Sequence, residues 1–419
     1  MSQFLITGGT PLKGEIRCAG NKNAALPIIA ATVLTDEDCV LENAPAIRDV
    51  EAMLSLLEGL GKKIERPSKG VITIRGSIIS TIPKPELVRK LRASILYLGA
   101  LLARAGEASI SPPGGCVIGR RGVDTHFEAM SALGVYVEIG EKGYVARLES
   151  PTPGRVFLHE PSVTATENAM LLATALKGET IIMNAASEPH VADLAGALRK
   201  MGAEIRGEGT NHLSVRGGAK LRGFNHRIMP DHIEAGTFAI ATACTGGHVV
   251  IHDAEREHLQ MITLYLKRLG MKLSFLDEKT LEVSPSELRA PGAKIQVGVW
   301  PGFPTDLMSP MIVLATQAQG TTLLHDWMYE SRMFFVDKLI AMGAQITLCD
   351  PHRVLVTGRS ALRGQELSSP DIRAGIALVI AALAARGESL IDRAELVDRG
   401  YEDIVNRMES LGARMARRD

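Results

Sequence analysis

The chain has 419 residues, 46% hydrophobic and 22% charged, a balance that buries a core and excludes a disordered chain. Forty-seven basic and forty-seven acidic side chains cancel, so no global field points to nucleic acid or an anionic membrane, and any anion site must be local. Five scattered cysteines without CxxC spacing, and eleven histidines without an HExxH cluster, suit reduced thiols in a cytoplasm and carry no metal signature.

Along the chain, "MSQFLITGGTPLKG" has no basic region leading into a long apolar one, so no signal peptide is expected. The longest apolar run, "GIALVIAALAA" at 375–385, is too short to cross a bilayer. A strand is predicted within "FLITGGTPLKGEIRCAG", followed by an apolar helix opening at Asn23. Two signatures then recur. The first closes an amphipathic helix and enters a strand: "LGKKIE", "LGVYVEI", "MGAEIR", "LGMKLSF", "MGAQITL" and "LGARMAR", with Gly61, Gly134, Gly202, Gly270, Gly343 and Gly412 as helix stops. The second is a short β-rich run after an apolar helix: "EDCVLENA", "GEASISPP", "GETIIMNA", "GHVVIHDA", "GTTLLHDW" and "GESLIDRA".

Both signatures keep a period of about seventy residues, so one unit reads strand, apolar helix, strand, loop, amphipathic helix, strand. Helices that are apolar nearly all round belong inside, with sheet packed outside them. The expected fold class is α/β, with two inverted (inside-out) domains built from six βαβαββ-like repeats, three per domain. The predicted boundaries are 22–229 for repeats one to three, which carry Cys116, and 1–21 plus 230–419 for repeats four to six, with the active site in the cleft between them.

Polar residues break this pattern at one repeated place. The apolar helices start at Lys22, Arg92, Thr164, His232, Asp306 and Arg373. Three cations there oppose the helix dipole, yet a helix N-terminus beside a cation makes an anion site. Asp306, in "FPTDL", reads equally as an N-cap. A second set follows the repeated strands in loops: Cys116 and Arg121, Arg332 in "YESRMF", and Arg399 in "VDRGYED". Five arginines and a lysine without a matching acidic run imply a ligand with several negative charges, for which guanidinium forks suit carboxylate and phosphate. The turn-rich "PPGGC" places Cys116 in a loop, where nearby arginines favour its thiolate. Such a group serves as nucleophile or general acid, and these residues alone leave that choice open.

Taken together, "GNKNAALP", "LRASI", "GGCVIGRRGVD", "FPTD", "ESR", "IRAG" and "DRGYE" resemble the UDP-N-acetylglucosamine 1-carboxyvinyltransferase family of enolpyruvyl transferases, in order and over nearly the whole chain. The resemblance implies transfer of the enolpyruvyl group of phosphoenolpyruvate to the 3′-hydroxyl of UDP-N-acetylglucosamine with release of phosphate, a step of peptidoglycan synthesis. It implies no cofactor or metal, small-molecule substrates alone, no nucleic acid, membrane or obligate protein partner, and a cytoplasmic enzyme open to alkylation by fosfomycin at Cys116. By the same resemblance Lys22, Arg121 and Arg399 hold the phosphate of phosphoenolpyruvate, Arg332 and Arg373 its carboxylate, and Asn23 orients the reacting groups. Asp306 takes the hydroxyl proton and Cys116 delivers one to the vinyl carbon. Arg92, Arg121, Val123, Asp124, Asp306 and Met328 fall on nucleotide-sugar positions.

Departures from the family pattern gather on the sugar-nucleotide side. Gly122 stands for a proline, Thr125 for a leucine, Thr164 for a glycine that admits ligand to the backbone, His190 for an acidic residue, Trp300 for Tyr or His, and Met328 for a β-branched residue. A different nucleotide or sugar acceptor is therefore an alternative, and a catalytically silent regulatory paralogue is another. The sister reaction on shikimate 3-phosphate is disfavoured by "GNKNAALP" and by Cys116.

Overall fold

A computed structural model describes residues 2–115, 118–119 and 121–418. The chain divides into two compact units, one of residues 1–19 and 230–419 and one of residues 20–115 and 121–229; Ile118 and Gly119 group with the former. The sequence expectation assigned the whole Cys116 loop to the other unit. Ile118 departs from it because its carbonyl accepts the Ser331 amide at 3.1 Å. Cys116 itself lies outside the described residues.

Each unit has its own hydrophobic core. In the 230–419 unit the helices His232–Cys244, Met308–Gln317 and Ile372–Ala384 pack on one another. Twelve consecutive residues from Ile372 to Leu383 are buried, so the helix has no solvent face. This is the all-round apolarity of the sequence realised as an interior position. The helices Lys22–Ala31, Leu96–Ala105 and Val163–Ala173 fill the same places in the 20–229 unit. Sheets form the outside. Six are present among the described residues, five of four strands and one of three, and each contains one of the six repeated β-rich runs. The fold class is the inside-out α/β architecture expected from the repeats.

Two strand placements lay beyond a repeat-by-repeat reading. Lys13–Arg17 precedes the first core helix but pairs in parallel with His248–His252 of the fourth repeat. Phe224–Arg227 precedes the fourth core helix but pairs in parallel with Cys39–Glu42 of the first. Each unit thus takes its leading strand from the chain that is about to leave it. Gln3–Thr7 lies between Glu388–Asp392 and Arg414–Arg418, antiparallel to both, and completes the sixth sheet.

All six predicted helix stops adopt the left-handed conformation, with φ between 87° at Gly270 and 114° at Gly61. Their surroundings differ. A Cβ at Gly134 would lie 1.7 Å from the Ser150 carbonyl oxygen, whereas one at Gly412 would meet nothing within 4 Å. Gly412→Ala is expected to cost only the left-handed strain, about 1 kcal/mol, and Gly134→Ala about 3 kcal/mol or more because backbone must also move. Urea denaturation of the two variants measures the contrast; equal midpoints would contradict it.

Candidate active site

In the 230–419 unit the site residues converge on one carboxylate. Asp306 sits in the 3₁₀ turn Thr305–Leu307, whose N-cap is Pro304. The N-cap positions of this turn and of the helix Met308–Gln317 that follows fall on Pro304 and Leu307, not on Asp306. Instead Oδ1 accepts from Arg332 Nη2 at 3.3 Å and Oδ2 from Arg373 Nη2 at 2.7 Å. Arg373 lies in the first turn of Ile372–Ala384, where the Asp371 side chain accepts from the amides of Arg373 and Ala374 at 2.8 and 3.1 Å. The cap anchors the backbone, and the guanidinium swings back across the helix start. Arg373 Nη1 also donates to the Tyr401 hydroxyl at 3.1 Å, and that oxygen lies 3.0 Å from Thr237 Oγ1.

Both guanidiniums are nearly buried, with side-chain exposures of 2% for Arg332 and 7% for Arg373, against 27% for Asp306. Burial disfavours the charge of Arg373, but Asp306 together with Tyr401 and Asp231 more than offsets it, and the pKa stands above its ordinary value. Arg399 ends the 3₁₀ segment Ala394–Arg399, two residues before Tyr401, so the contact of Tyr401 with Arg373 carries Arg399 to the same helix start. Met328 lies partly buried in the loop leading to Arg332. The ring of Trp300 meets that of His232 edge to face at 5.9 Å. His232, at the start of its core helix, has its pKa lowered to about 3 by burial, with His258 and Arg373 adding to the effect.

The 20–229 unit carries the other predicted residues. Lys22 begins its helix behind the Asn21 cap, which accepts from the Ala24 amide at 2.9 Å. Lys22 Nζ pairs with Asp49 Oδ2 at 2.8 Å, and Asn23 follows, partly exposed. Arg92, in the 3₁₀ turn Arg92–Ile95, donates to the Gly122 carbonyl at 2.5 Å. That bond ties the second helix start to the segment of Arg121, Val123 and Asp124. Gly114 and Gly115 serve close packing here: a Cβ at Gly114 would overlap the Arg89 carbonyl oxygen at 1.6 Å, and one at Gly115 would lie 2.9 Å from Arg92 Cβ.

The departures at Thr125 and Thr164 are built into hydrogen-bond networks. Thr164 Oγ1 lies 3.1 Å from His126 Nε2, and His126 Nδ1 lies 2.9 Å from Asn168 Nδ2. Asn168 Oδ1 accepts the Gly99 amide and its Nδ2 donates to the Ile95 carbonyl, which fixes the amide orientation. His126 must then accept at Nδ1, carry its proton at Nε2 and donate to Thr164. Burial, helped by Arg92, lowers its pKa to about 3. Thr125 Oγ1 sits between His159 Nε2 at 3.1 Å and Glu160 Oε1 at 3.2 Å. Gly122 leaves room for the Asp124 carboxylate, whose Oδ2 would lie 2.4 Å from a Cβ there. His190 is buried in the first turn of Pro189–Met201.

Neither Asp49, Tyr401 nor His126 was singled out by the sequence reading. Each acts on a site residue across a distance in the chain that no local motif spans, and none falls on a repeated position.

Because His126 stays neutral when folded but titrates near its ordinary value of about 6.5 when unfolded, the unfolded state binds the extra proton below that pH. Stability should therefore be full above about pH 6.5 and fall as pH drops toward 3, by about 2 kcal/mol per such histidine at pH 4.5. His126→Gln should flatten that slope in denaturation curves at pH 7 and 4.5; an unchanged slope would contradict the assignment.

The EPSP synthase (3-phosphoshikimate 1-carboxyvinyltransferase) family profile matches residues 6–408. The UDP-N-acetylglucosamine 1-carboxyvinyltransferase of Treponema denticola is 48% identical, with 99% of each chain covered. That of Bradyrhizobium diazoefficiens is 46% identical, covering 99% of this chain and 98% of its own. Among solved structures, the enolpyruvyl transferase NikO from Streptomyces tendae superposes with a TM-score of 0.89 at 23% identity over 99% of this chain and 98% of its own. EPSP synthase from Acinetobacter baumannii gives 0.76 at 20% identity over the full length of both chains. These two show the shared fold. With this profile and these relatives, the chain belongs to the EPSP synthase family and, within it, to the UDP-N-acetylglucosamine 1-carboxyvinyltransferases.

Proposed function

We propose that this chain transfers the enolpyruvyl group of phosphoenolpyruvate to the 3′-hydroxyl of UDP-N-acetylglucosamine and releases phosphate, in peptidoglycan synthesis. The observation that carries this reading is the Arg332–Asp306–Arg373 cluster, in which two buried guanidiniums share one carboxylate. A substrate carboxylate of the same shape and charge competes with Asp306 for both forks. As it takes them, Asp306 gives up its partners and becomes a stronger base for the sugar hydroxyl.

The phosphate of phosphoenolpyruvate falls to Lys22, Arg121 and Arg399, with Asn23 orienting the reacting groups; Arg92, Val123, Asp124 and Met328 lie toward the nucleotide sugar. Cys116 protonates the vinyl C3, which leaves C2 electron-poor. The 3′-oxygen forms its bond to C2 as its proton passes to Asp306. In the second half the C2–O bond to phosphate breaks and a proton returns from the new methyl group to the Cys116 thiolate, restoring the double bond, while the proton held by Asp306 passes to the departing phosphate. The arginines and lysine offset the charge that builds on phosphate as it departs. This chemistry needs small molecules alone and fits a cytoplasmic enzyme, and no helix among the described residues is long and apolar enough to cross a membrane.

The test is phosphate release from phosphoenolpyruvate with and without UDP-N-acetylglucosamine. Release should require the nucleotide sugar, and Asp306→Ala should lower kcat by about a thousandfold or more with the fold retained. Release with a different nucleotide sugar only would move the acceptor and keep the reaction. Cys116→Ala should abolish turnover near neutral pH while Cys116→Asp retains much of it, because an aspartic acid also donates a proton. Fosfomycin with the nucleotide sugar should add its mass to the wild type and leave both Cys116 variants unmodified by intact-mass measurement. A normally active alanine variant would remove Cys116 from the acid's role.

A further inference from the structure

Asp326 lies in the repeated run "GTTLLHDW" and was not read as a site residue, yet it is the side chain on which the charged cluster is built. It follows the strand Gly320–His325 and is fully buried. Its main chain is held on both sides by the turn at His352: the Asp326 amide donates to the His352 carbonyl at 2.8 Å, and the Asp326 carbonyl lies 2.7 Å from His352 Nδ1. Its carboxylate then reaches two elements. Oδ2 accepts from Thr305 Oγ1 at 2.5 Å, in the turn that presents Asp306. Oδ1 accepts the amides of Met328 and Tyr329 at 3.0 and 3.3 Å, in the loop that presents Arg332.

Arg332 Nε lies 4.0 Å from Asp326 Oδ2 and has no hydrogen-bond partner among the described residues. The Thr305 hydroxyl already occupies that oxygen. Arg332 is thus attracted by charge without being locked by a directional bond at Nε, while its Nη2 bonds Asp306. The ring closes through Asp326, Thr305, Asp306 and Arg332. The carboxylates of Asp306 and Asp326 thus lie beside the guanidinium of Arg332, and Asp306 also pairs with Arg373. Removing the charge of Asp326 leaves a nearly buried guanidinium undercompensated, with Asp306 as its remaining close anion, and pulls the base toward the clamp.

We propose that Asp326 is a positioning residue, which sets the separation between Asp306 and Arg332 and keeps Asp306 from being captured by the arginines it must release. This rests on the enolpyruvyl-transfer reading above. It predicts a selective defect. Asp326→Asn keeps an oxygen for the Met328 and Tyr329 amides but loses the charge, so kcat/KM for phosphoenolpyruvate should fall about 10- to 100-fold through both constants. KM for UDP-N-acetylglucosamine should stay within about twofold, and the melting midpoint within a few degrees. Asp326→Glu, which retains the charge, should recover part of the loss.

Steady-state kinetics with each substrate varied in turn decides the matter. Unchanged kcat/KM for phosphoenolpyruvate in Asp326→Asn overturns the inference, and so does an equal loss for both substrates. If Asp326→Asn fails to fold, Thr305→Val removes one spoke of the same ring with the carboxylate left in place. A loss confined to phosphoenolpyruvate in that variant supports the proposal, and wild-type kinetics overturn it. A wild-type protein that releases no phosphate overturns the parent reading and this inference with it; an active wild type beside an indifferent Asp326→Asn overturns the inference alone.

Discussion

Two guanidiniums buried beside one another are costly unless anions accompany them, and most of the 230–419 unit's site is arranged around that requirement. Arg332 and Arg373 approach the same carboxylate of Asp306 from different repeats. Asp326 supplies the second negative charge from beneath, and Tyr401 gives Arg373 a further acceptor. The rigidity of these supports matters because a guanidinium in low dielectric has no water to fall back on. Under the proposed function, a small dianion arriving here would replace protein carboxylate with its own, a direct exchange of partners in place of a fresh desolvation.

The fold makes this geometry repeatable. Each core helix is apolar on every side and therefore interior, so its first turn is the place where it reaches a polar environment. The side chains of Asn21, Asp231 and Asp371 cap three of those turns by accepting hydrogen bonds from first-turn backbone amides. Lys22, His232 and Arg373 are thereby held at fixed positions, with side chains at the positive end of the helix dipole. The unfavourable placement of a cation there is offset by paired carboxylates: Asp49 for Lys22 and Asp306 for Arg373. In the second and fifth repeats a 3₁₀ turn takes the place of the cap and carries Arg92 or Asp306.

The positions that depart from the family pattern are organised residues in their own right. Thr164 receives a proton from His126, whose tautomer is dictated by Asn168. Thr125 bridges His159 and Glu160. A glycine at 164 would take this partner from the buried His126, whereas His159 and Glu160 beside Thr125 are exposed.

The sequence by itself determined the six repeats, the interior helices, the glycine stops and the helix-start positions of Lys22, Arg92, Asp306 and Arg373. All of these follow from periodicity and local backbone preference, which are written in consecutive residues. Tertiary structure alone decided that Lys13–Arg17 and Phe224–Arg227 exchange repeats, that Asp306 accepts from two arginines, and that Asp49, Asp326 and Tyr401 support the cations. The reason is physical: a lone aspartate has the same local signature on a solvated surface as beneath a buried guanidinium. Only the packing of distant segments removes the water that makes the two cases differ.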